Sequence, residues 1–172
     1  MTLNPKVIKN DFPIFKSHPQ LAFLDNASTT QKPQIVIDKI NEYYSEYNSN
    51  VHRGIYQIGE KATLEYESVR KKALEFVSAD DSYSAIYTSG TTESLNLLSN
   101  SLSQLVLKEG DEVLISEMEH HSNIVPWQIA CKRFRAILKY IPITKKGEWD
   151  LSQIDELINS KTKIVSLIHQ SN

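Results

Sequence analysis

The stretch GDEVLISEMEHHSNIVPWQ, residues 110–128, contains a strand, a polar loop and the start of a helix. The run EVLIS at 112–116 is short and apolar, as is typical of a buried strand. The segment IVPWQIACKRF at 124–134 has the length and composition of a helix, and Ser122 or Asn123 is the expected N-cap. The sequence therefore predicts a strand–loop–helix unit whose loop holds two adjacent histidines.

The same alternation continues on both sides of this unit. Further strands are predicted at 84–88, 136–142 and 163–168, and further helices at 91–108 and 150–158. The first of these helices is expected to bury one apolar side, formed by Leu95, Leu98, Leu102 and Leu105. The second begins with capping-box spacing between Asp150 and Gln153. Alternating strands and helices predict an α/β fold with a mainly parallel sheet flanked by helices.

The N-terminal part of the chain has a different pattern. Residues 1–33 are expected to form an irregular arm, and a helical pattern runs from Pro33 to Tyr47. A second, longer helix follows, with an apolar side formed by Ala62, Tyr66, Val69, Ala73 and Phe76. We therefore expect two domains: a helical N-terminal arm and helices at 1–82, and the first part of an α/β domain at 83–172.

Composition and charge exclude several classes of protein. The 19 basic and 21 acidic residues give a net charge of −2, which argues against a nucleic-acid-binding protein. The single cysteine, Cys131, excludes an intrachain disulfide and fits a reducing compartment. No secretory signal and no apolar segment of membrane-spanning length is visible. We expect a cytoplasmic protein with neither nucleic acid nor membrane as a partner.

Three polar segments follow predicted strands: SGTT at 89–92, EMEHHSN at 117–123 and HQSN at 169–172. In open α/β sheets, ligands bind beyond the carboxyl ends of the strands. The sequence therefore places all three segments at the edge where a ligand is expected.

The segment TSGTTES, residues 88–94, predicts an anion site. Gly90 permits a tight turn before a helix, whose free first-turn amides and dipole favour a phosphate. The hydroxyls of Thr91 and Thr92 add hydrogen bonds. The alternative is a glycine turn with a threonine N-cap and no ligand. Neither a Walker loop nor a G-x-G-x-x-G motif is present.

The paired histidines allow three interpretations. A metal site would use Glu117, Glu119, His120 and His121, but adjacent residues rarely point at one metal and no second cluster completes the site. We therefore expect no metal. A cofactor site needs one histidine whose ring is free to lie against a flat heterocycle. The third interpretation is a polar loop without a ligand.

Two other features are weaker signals. His52 and Arg53 lie in the loop NSNVHRG between the first two helices, where arginine suits a carboxylate or phosphate. The alternative is a solvated loop. Cys131 lies in a predicted helix and is interpreted as a packed small hydrophobe rather than a nucleophile.

Five segments together resemble the N-terminal part of the class V aminotransferase-like enzymes, and within them the SufS/Csd-type cysteine desulfurases. They are LDNASTTQKP (24–33), NVHRGIYQIGEKAT (50–63), TSGTTESLNLL (88–98), GDEVLISEMEHHSNIVPWQ (110–128) and TKIVSLIHQSN (162–172). The resemblance implies a fold-type I enzyme that depends on pyridoxal 5′-phosphate (PLP) and acts as a homodimer. It implies removal of sulfur from L-cysteine to leave L-alanine and an enzyme persulfide, which a sulfur-acceptor protein takes up for iron–sulfur cluster assembly.

The resemblance also implies roles for single residues. Thr91 and Thr92 match the phosphate-binding turn. His121 matches the histidine that stacks on the pyridine ring and moves protons. Asn172 matches an asparagine near the phenolic oxygen of the cofactor and the carboxylate of the substrate.

Four further residues match positions near the substrate. Ala27 and Ser28 match the segment that lines the substrate pocket. His52 and Arg53 match a loop near the dimer interface and the mouth of the active site. Ser89 is a departure, since many relatives have arginine there.

In the family that the chain resembles, the Schiff-base lysine, the acid near the pyridine nitrogen and the nucleophilic cysteine lie beyond the equivalent of Asn172. Cys131 does not match that nucleophile. This chain alone is therefore expected to be inactive. Two alternatives to the desulfurase remain open: a non-catalytic remnant that binds phosphate or a partner, and part of a selenocysteine lyase.

Overall fold

The computed structural model describes residues 4–80 and 82–171, in two compact units that divide between Ile86 and Tyr87. The first unit is helical. It contains α1 (Pro5–Lys9), α2 (Ile14–Ser17), α3 (Gln34–Glu42) with a following π-helical turn (Tyr43–Tyr47), and α4 (Gln57–Phe76). The second unit contains α5 (Thr91–Val106), β1 (Glu112–Ser116), α6 (His121–Phe134), β2 (Ile137–Ile141), α7 (Ile154–Leu157) and β3 (Thr162–Val165).

In the first unit, the arm and α3 are joined by a backbone hydrogen bond from Gln34 N to Asp11 O at 2.8 Å. The helix predicted up to Tyr47 forms as α3 and the π-helical turn. Tyr47 is buried, with the Lys61 ammonium 4.2 Å from its ring centroid. Much of the apolar side predicted for α4 is exposed in this unit, Phe76 most of all.

In the second unit, β1 is the central strand of a parallel three-stranded sheet with the order β2–β1–β3. Every residue of β1 is buried, as predicted for EVLIS. The predicted α/β fold with a parallel sheet flanked by helices is confirmed. The core lies where α5 and α6 cover the sheet, and its buried members are Leu107, Val113, Ile115, Trp127, Ala130, Cys131 and Ile164.

The directions of the helices follow from the parallel sheet. Because β1 and β2 are parallel and α6 connects them, α6 runs antiparallel to β1. Helix α5 leads into the start of β1 and packs against α6, and Arg133 Nη1 donates to Asn100 Oδ1 at 3.1 Å between the two helices. The helices are therefore parallel to each other, and both begin on the side of the carboxyl ends of the strands.

Some details of the predicted elements differ. The strand predicted at 163–168 forms as β3 and ends at Val165. Residues 84–88 are not a strand, and Ile86 is exposed. A strand needs a neighbour to pair with, and no described strand lies beside this segment. The predicted helix at 150–158 shrinks to the short α7, because Asp150 accepts from the Ser152 amide at 3.0 Å and forms a turn instead of a helix cap.

The predicted buried side of α5 is only partly right. Leu102 packs against the core as expected, whereas Leu98 and Leu105 are exposed and Ser99 and Ser103 are buried. Small side chains at these positions let the backbones of α5 and α6 approach each other closely, and the leucine pattern did not indicate this. Among the described residues, no helix has both the length and the apolar composition that a membrane span requires.

Candidate functional site

A buried polar network lies at the carboxyl edge of the sheet, centred on Glu119. Its Oε1 accepts from the Ser116 hydroxyl at the end of β1 and from the Ile168 amide after β3, the latter at 2.9 Å. Its Oε2 accepts from Asn123 Nδ2 in the first turn of α6 at 2.8 Å. One carboxylate therefore joins the ends of two strands and the start of a helix.

Asn123 extends this network into the core. Its Oδ1 accepts from Trp127 Nε1 at 2.9 Å and from the Ser166 hydroxyl at 2.7 Å. Its Nδ2 also donates to Ser166 O at 3.2 Å. Asn123 is buried and all of its polar atoms have partners, as expected for a buried amide. The first turn of α6 is thereby fixed against the chain that follows β3.

Helix α6 begins at His121, and its N-cap is His120. The Nδ1 atom of His120 accepts from the Ser122 amide at 3.1 Å, and His120 O accepts from the Asn123 amide at 2.8 Å. The expectation that Ser122 or Asn123 is the cap is therefore wrong. The side chain of Asn123 bonds within the buried network and does not cap the helix. The imidazole nitrogen of His120 takes the acceptor role that a serine or asparagine oxygen usually has.

His121 has a different environment from His120. It is exposed at the first position of α6, and its ring lies perpendicular to that of His120 with 6.2 Å between the centroids. Glu119, two residues before it, and Asn123, two residues after it, are both buried. The backbone of His121 is therefore held on a rigid turn while its imidazole remains accessible to a ligand.

The turn before α5 leaves backbone donors available. Gly90 is the N-cap with φ 157° and ψ 178°, a conformation that glycine adopts most readily, and no side chain among the described residues caps the helix. Within the described part of the chain, the amides of Thr91 and Thr92 have no acceptor. Free amides at the start of a 16-residue helix form an anion site.

Glu93 lies in the same turn but does not occupy these amides. Its Oε2 accepts from the Ser89 amide and the Ser89 hydroxyl, each at 2.6 Å. The hydroxyl bond, and then the amide bond, hold the pKa of Glu93 below its ordinary value. The carboxylate is therefore ionised at neutral pH and faces back to Ser89, which fixes the turn that presents Thr91 and Thr92.

The predicted cofactor residues thus come to one edge of the sheet. Thr91 and Thr92 begin α5, His121 begins α6, and both helices start on the side of the strands' carboxyl ends. Asn172 lies outside the described residues, although Ser171 before it donates to Met118 O at 3.3 Å. The roles of all four residues in binding a cofactor stay predictions.

The residues expected near the substrate lie in the first unit. Ala27 and Ser28 form an exposed turn, in which the Ser28 amide donates to Asp25 O at 3.1 Å. His52 and Arg53 lie in an exposed loop, with His52 at φ 68°. Their roles in substrate binding stay predictions.

The conformation of the His52 loop is fixed by contacts with α4. The His52 amide donates to Thr63 Oγ1 at 2.9 Å, and its Nε2 lies 3.2 Å from Glu67 Oε1. Gly54 and Gly59 pack backbone to backbone, since a Cβ built on Gly59 would lie 2.7 Å from Gly54 Cα. The second glycine therefore permits the loop to lie directly on the helix.

Cys131 is a buried core residue in α6, and burial raises the pKa of its thiol to about 11. It is therefore a neutral thiol at physiological pH, which fits the interpretation as a small hydrophobe. Among the described residues, no group of three or more His, Cys, Asp or Glu side chains is arranged to hold a metal ion.

The sequence did not indicate the network partners Trp127 and Ser166, and it suggested Asn123 only as a helix cap and Glu119 only as a candidate metal ligand. A signal was present, because Glu119, Asn123 and Trp127 are spaced four residues apart and lie on one side of α6 and the turn before it. The contacts with Ser166 and Ile168 join residues distant in sequence and had no local signal.

Comparison with known proteins places this chain in a family. The pattern of the aminotransferase class-V family matches residues 22–172. A relative from Staphylococcus epidermidis named "Probable cysteine desulfurase" is 45% identical over 97% of this chain and 41% of its own length. The chain thus spans about two fifths of the length of the curated relatives it matches.

Solved structures agree with this assignment. The apo cysteine desulfurase of Thermococcus onnurineus NA1 superposes with a TM-score of 0.89 and 32% identity, over 100% of this chain and 42% of that one. The cysteine desulfurase CsdA of Escherichia coli gives a TM-score of 0.80 and 30% identity, over 96% and 41% respectively. These matches do not favour the alternative of a non-catalytic chain. The chain belongs to the aminotransferase class-V family and is similar to the N-terminal portion of its cysteine desulfurases.

Proposed function

We propose that this chain is the N-terminal portion of a PLP-dependent cysteine desulfurase, which converts L-cysteine to L-alanine and retains the sulfur as an enzyme persulfide. The observation that carries the proposal is the placement of two helix starts at one edge of the sheet. One start offers free amides and threonine hydroxyls, and the other offers an exposed imidazole on a fixed turn.

The chemistry of these groups fits PLP, which has an anionic phosphate at one end and a flat aromatic ring. The amides of Thr91 and Thr92 lack acceptors within the described residues, and a phosphate would supply them. An exposed imidazole next to this edge suits a flat ring, on which it can stack. Bound PLP supplies the electron sink for bond cleavage in the amino acid.

Each candidate site residue then has a proposed task. Thr91 and Thr92 would hold the phosphate. His121 would orient the pyridine ring and could exchange a proton through its imidazole. Asn172 is proposed to bind near the phenolic oxygen and the substrate carboxylate. Ala27, Ser28, His52 and Arg53 are proposed to contribute to substrate binding.

The family resemblance supports the finer parts of the proposal. We propose L-cysteine as the substrate, a homodimer as the functional state, a sulfur-acceptor protein as the partner and the cytoplasm as the location. A selenocysteine lyase has the same cofactor and the same type of bond cleavage. Parallel assays with L-cysteine and L-selenocysteine separate the two.

Equilibrium titration of the complete protein with PLP, followed by visible absorbance, tests the cofactor site. Thr91→Val and Thr92→Val each remove a hydroxyl donor to an anion, and we expect each to weaken PLP binding about 10-fold. The matched control is Ser101→Ala, an exposed hydroxyl elsewhere on α5. Inorganic phosphate is expected to compete with PLP. Binding that neither threonine variant nor phosphate affects would contradict the proposed site.

A further inference from the structure

Glu119 is a buried carboxylate to which the proposed function gives no task. It is 8% exposed, and three segments of the chain donate hydrogen bonds to it. The donors are the Ser116 hydroxyl, the Asn123 side-chain amide and the Ile168 backbone amide. A buried carboxylate is costly to place unless it is well satisfied, so its presence here calls for a specific reason.

Two of the three donors determine the hydrogen-bonding role of the Glu119 oxygens. The Ile168 backbone N–H can only donate, and it meets Oε1. Asn123 must turn its NH₂ group to Oε2, because its own oxygen accepts from Trp127 Nε1, which can also only donate. Both oxygens of residue 119 are therefore required to be acceptors.

Glutamine cannot replace this carboxylate, although it has nearly the same shape. With its NH₂ group toward Asn123, two donors face each other. With the NH₂ group turned the other way, it faces the Ile168 N–H. Either orientation leaves a donor unsatisfied in a buried position, which costs more than the loss of a surface hydrogen bond.

The position of Glu119 couples two parts of the candidate site. His121 lies between Glu119 and its partner Asn123, so the bond between those two sets the backbone that presents the imidazole. Ile168 lies in the segment after β3, and Ser171 in that segment donates to Met118 O beside Glu119. The same carboxylate thus holds the turn at His121 and the chain that leads to residue 171.

We propose that Glu119 is a positioning residue, which sets the orientation of His121 relative to the segment 168–171 through its three acceptor bonds. The inference rests on the proposed function in so far as His121 contacts PLP. The proposed role of Glu119 concerns the geometry of the site and not the reacting atoms. The orientation of the bound cofactor is therefore the property to measure.

The first experiment compares Glu119→Gln with Glu117→Gln in the complete protein loaded with PLP. Glu117 is an exposed carboxylate in the same loop, and its bond from the Ile143 amide survives in glutamine, so it is the matched control. We expect Glu119→Gln to change the sign or intensity of the cofactor's visible circular dichroism band. We expect it to lower kcat/KM about 10- to 100-fold, as for a displaced catalytic group. The control is expected to match the wild type.

The second experiment reverses the polarity of one bond. In the double variant Glu119→Gln with Asn123→Asp, the glutamine NH₂ group donates to the aspartate, whose other oxygen still accepts from Trp127. Asn123→Asp alone sets two carboxylates side by side and is expected to be as defective as Glu119→Gln. The double variant should recover part of the dichroism band and of kcat/KM relative to Asn123→Asp, the single variant that also lacks the bond from Asn123 Nδ2 to Ser166 O.

A third readout needs no cofactor. In the apo protein, amide resonances of His121 and of residues 168–171 are expected to shift together in Glu119→Gln and to stay in place in Glu117→Gln. If the protein binds no PLP, the proposed function fails and these resonances alone decide the inference. Ser116→Ala removes one donor and keeps the carboxylate, and it serves as a milder variant should Glu119→Gln not fold.

Two results would overturn the proposal. One is a dichroism band, or a set of apo resonances, that is unchanged in Glu119→Gln while only the melting temperature falls, because Glu119 would then act in stability alone. The other is a changed band with no recovery in the double variant relative to Asn123→Asp, because the donor and acceptor pattern of the bond between residues 119 and 123 would then not set the orientation.

Discussion

The imidazoles of His120 and His121 lie perpendicular to each other, with 6.2 Å between ring centroids, and it is His120 that caps helix α6 through Nδ1. The two adjacent histidines therefore have separate tasks. His120 stabilises the start of the helix, and His121 presents an exposed ring at the edge of the sheet. Variants at the two positions should affect different properties.

His120→Ala removes the acceptor for the Ser122 amide and should lower the free energy of unfolding by about 1 kcal/mol. His120→Asn, which retains a capping oxygen, should restore most of it. His121→Ala should leave stability nearly unchanged and weaken PLP binding far more than His120→Ala does. Urea denaturation and PLP titration of all three variants test this, and equal effects of the two alanine substitutions on PLP affinity would refute it.

Gly59→Ala tests the close approach of the His52 loop to α4. Alanine in a helix is intrinsically favoured over glycine by about 1 kcal/mol. The added Cβ would nevertheless lie 2.7 Å from Gly54 Cα, so we expect net destabilisation of about 1–3 kcal/mol. Lys72→Ala, at an exposed position of the same helix, is the control for helix propensity. A stabilised Gly59→Ala protein would show that the two backbones can separate at no cost.

Glu112 at the start of β1 links stability to pH. Its Oε2 accepts from Lys139 Nζ at 2.9 Å and from Asn159 Nδ2 at 3.0 Å, and the bond with Lys139 above all lowers the pKa of this carboxylate. Because the folded pKa lies below the unfolded value of about 4.3, the carboxylate stabilises the fold above that pH. The contribution is lost as the pH falls through the folded pKa.

Thermal denaturation of the wild type and Glu112→Gln between pH 3 and 7 measures this contribution. At pH 7 the variant should be less stable by about 2 kcal/mol, the value of a hydrogen bond to a charged group. The difference should shrink below about pH 4. A difference that does not depend on pH would show that packing, and not the charge of Glu112, is responsible.

Cys131 should behave as a core residue. Burial raises the pKa of its thiol to about 11, so almost no thiolate exists at pH 8. We expect slow labelling by a thiol reagent in the native protein and rapid labelling in denaturant. Cys131→Ala in the complete protein should retain desulfurase activity. Loss of activity in a folded Cys131→Ala protein would assign this thiol a chemical task.

Elements of the fold were predictable where their sequence pattern depends only on residues that are neighbours in the chain. The buried run at 112–116 and the helix pattern after it depend on neighbouring residues only, and both form as expected. Residues 84–88 have an equally good local pattern but no described strand beside them. A strand depends on a partner distant in sequence, which composition does not reveal.

The buried side of α5 shows the same limit in packing. Of the four leucines that predict the buried side of the helix, Leu98 and Leu105 are exposed, and the buried positions are Ser99 and Ser103. The choice depends on how closely α6 approaches, and small residues permit the closer contact. Hydrophobic periodicity indicates which residues are apolar, but the neighbouring element decides which side is covered.

The sequence indicated the sheet edge at which the candidate residues lie, but not their contacts. The rule that ligands bind at the carboxyl edge of a parallel sheet indicated the segments 89–92 and 117–123, and the family resemblance selected His121 from the second. The role of Glu119 was not predictable, because its bond to Ile168 joins residues 49 positions apart. The identity of the helix cap also followed from this network, since Asn123 is committed elsewhere.

We propose that this chain belongs to an enzyme that removes sulfur from L-cysteine with PLP. The amount of L-alanine formed from L-cysteine tests this most directly, with the complete protein purified with PLP and given a thiol reductant to release the sulfur. We expect one alanine for each sulfide released, and a much lower rate for His121→Ala. Absence of alanine from a folded, PLP-loaded protein would contradict the proposed activity.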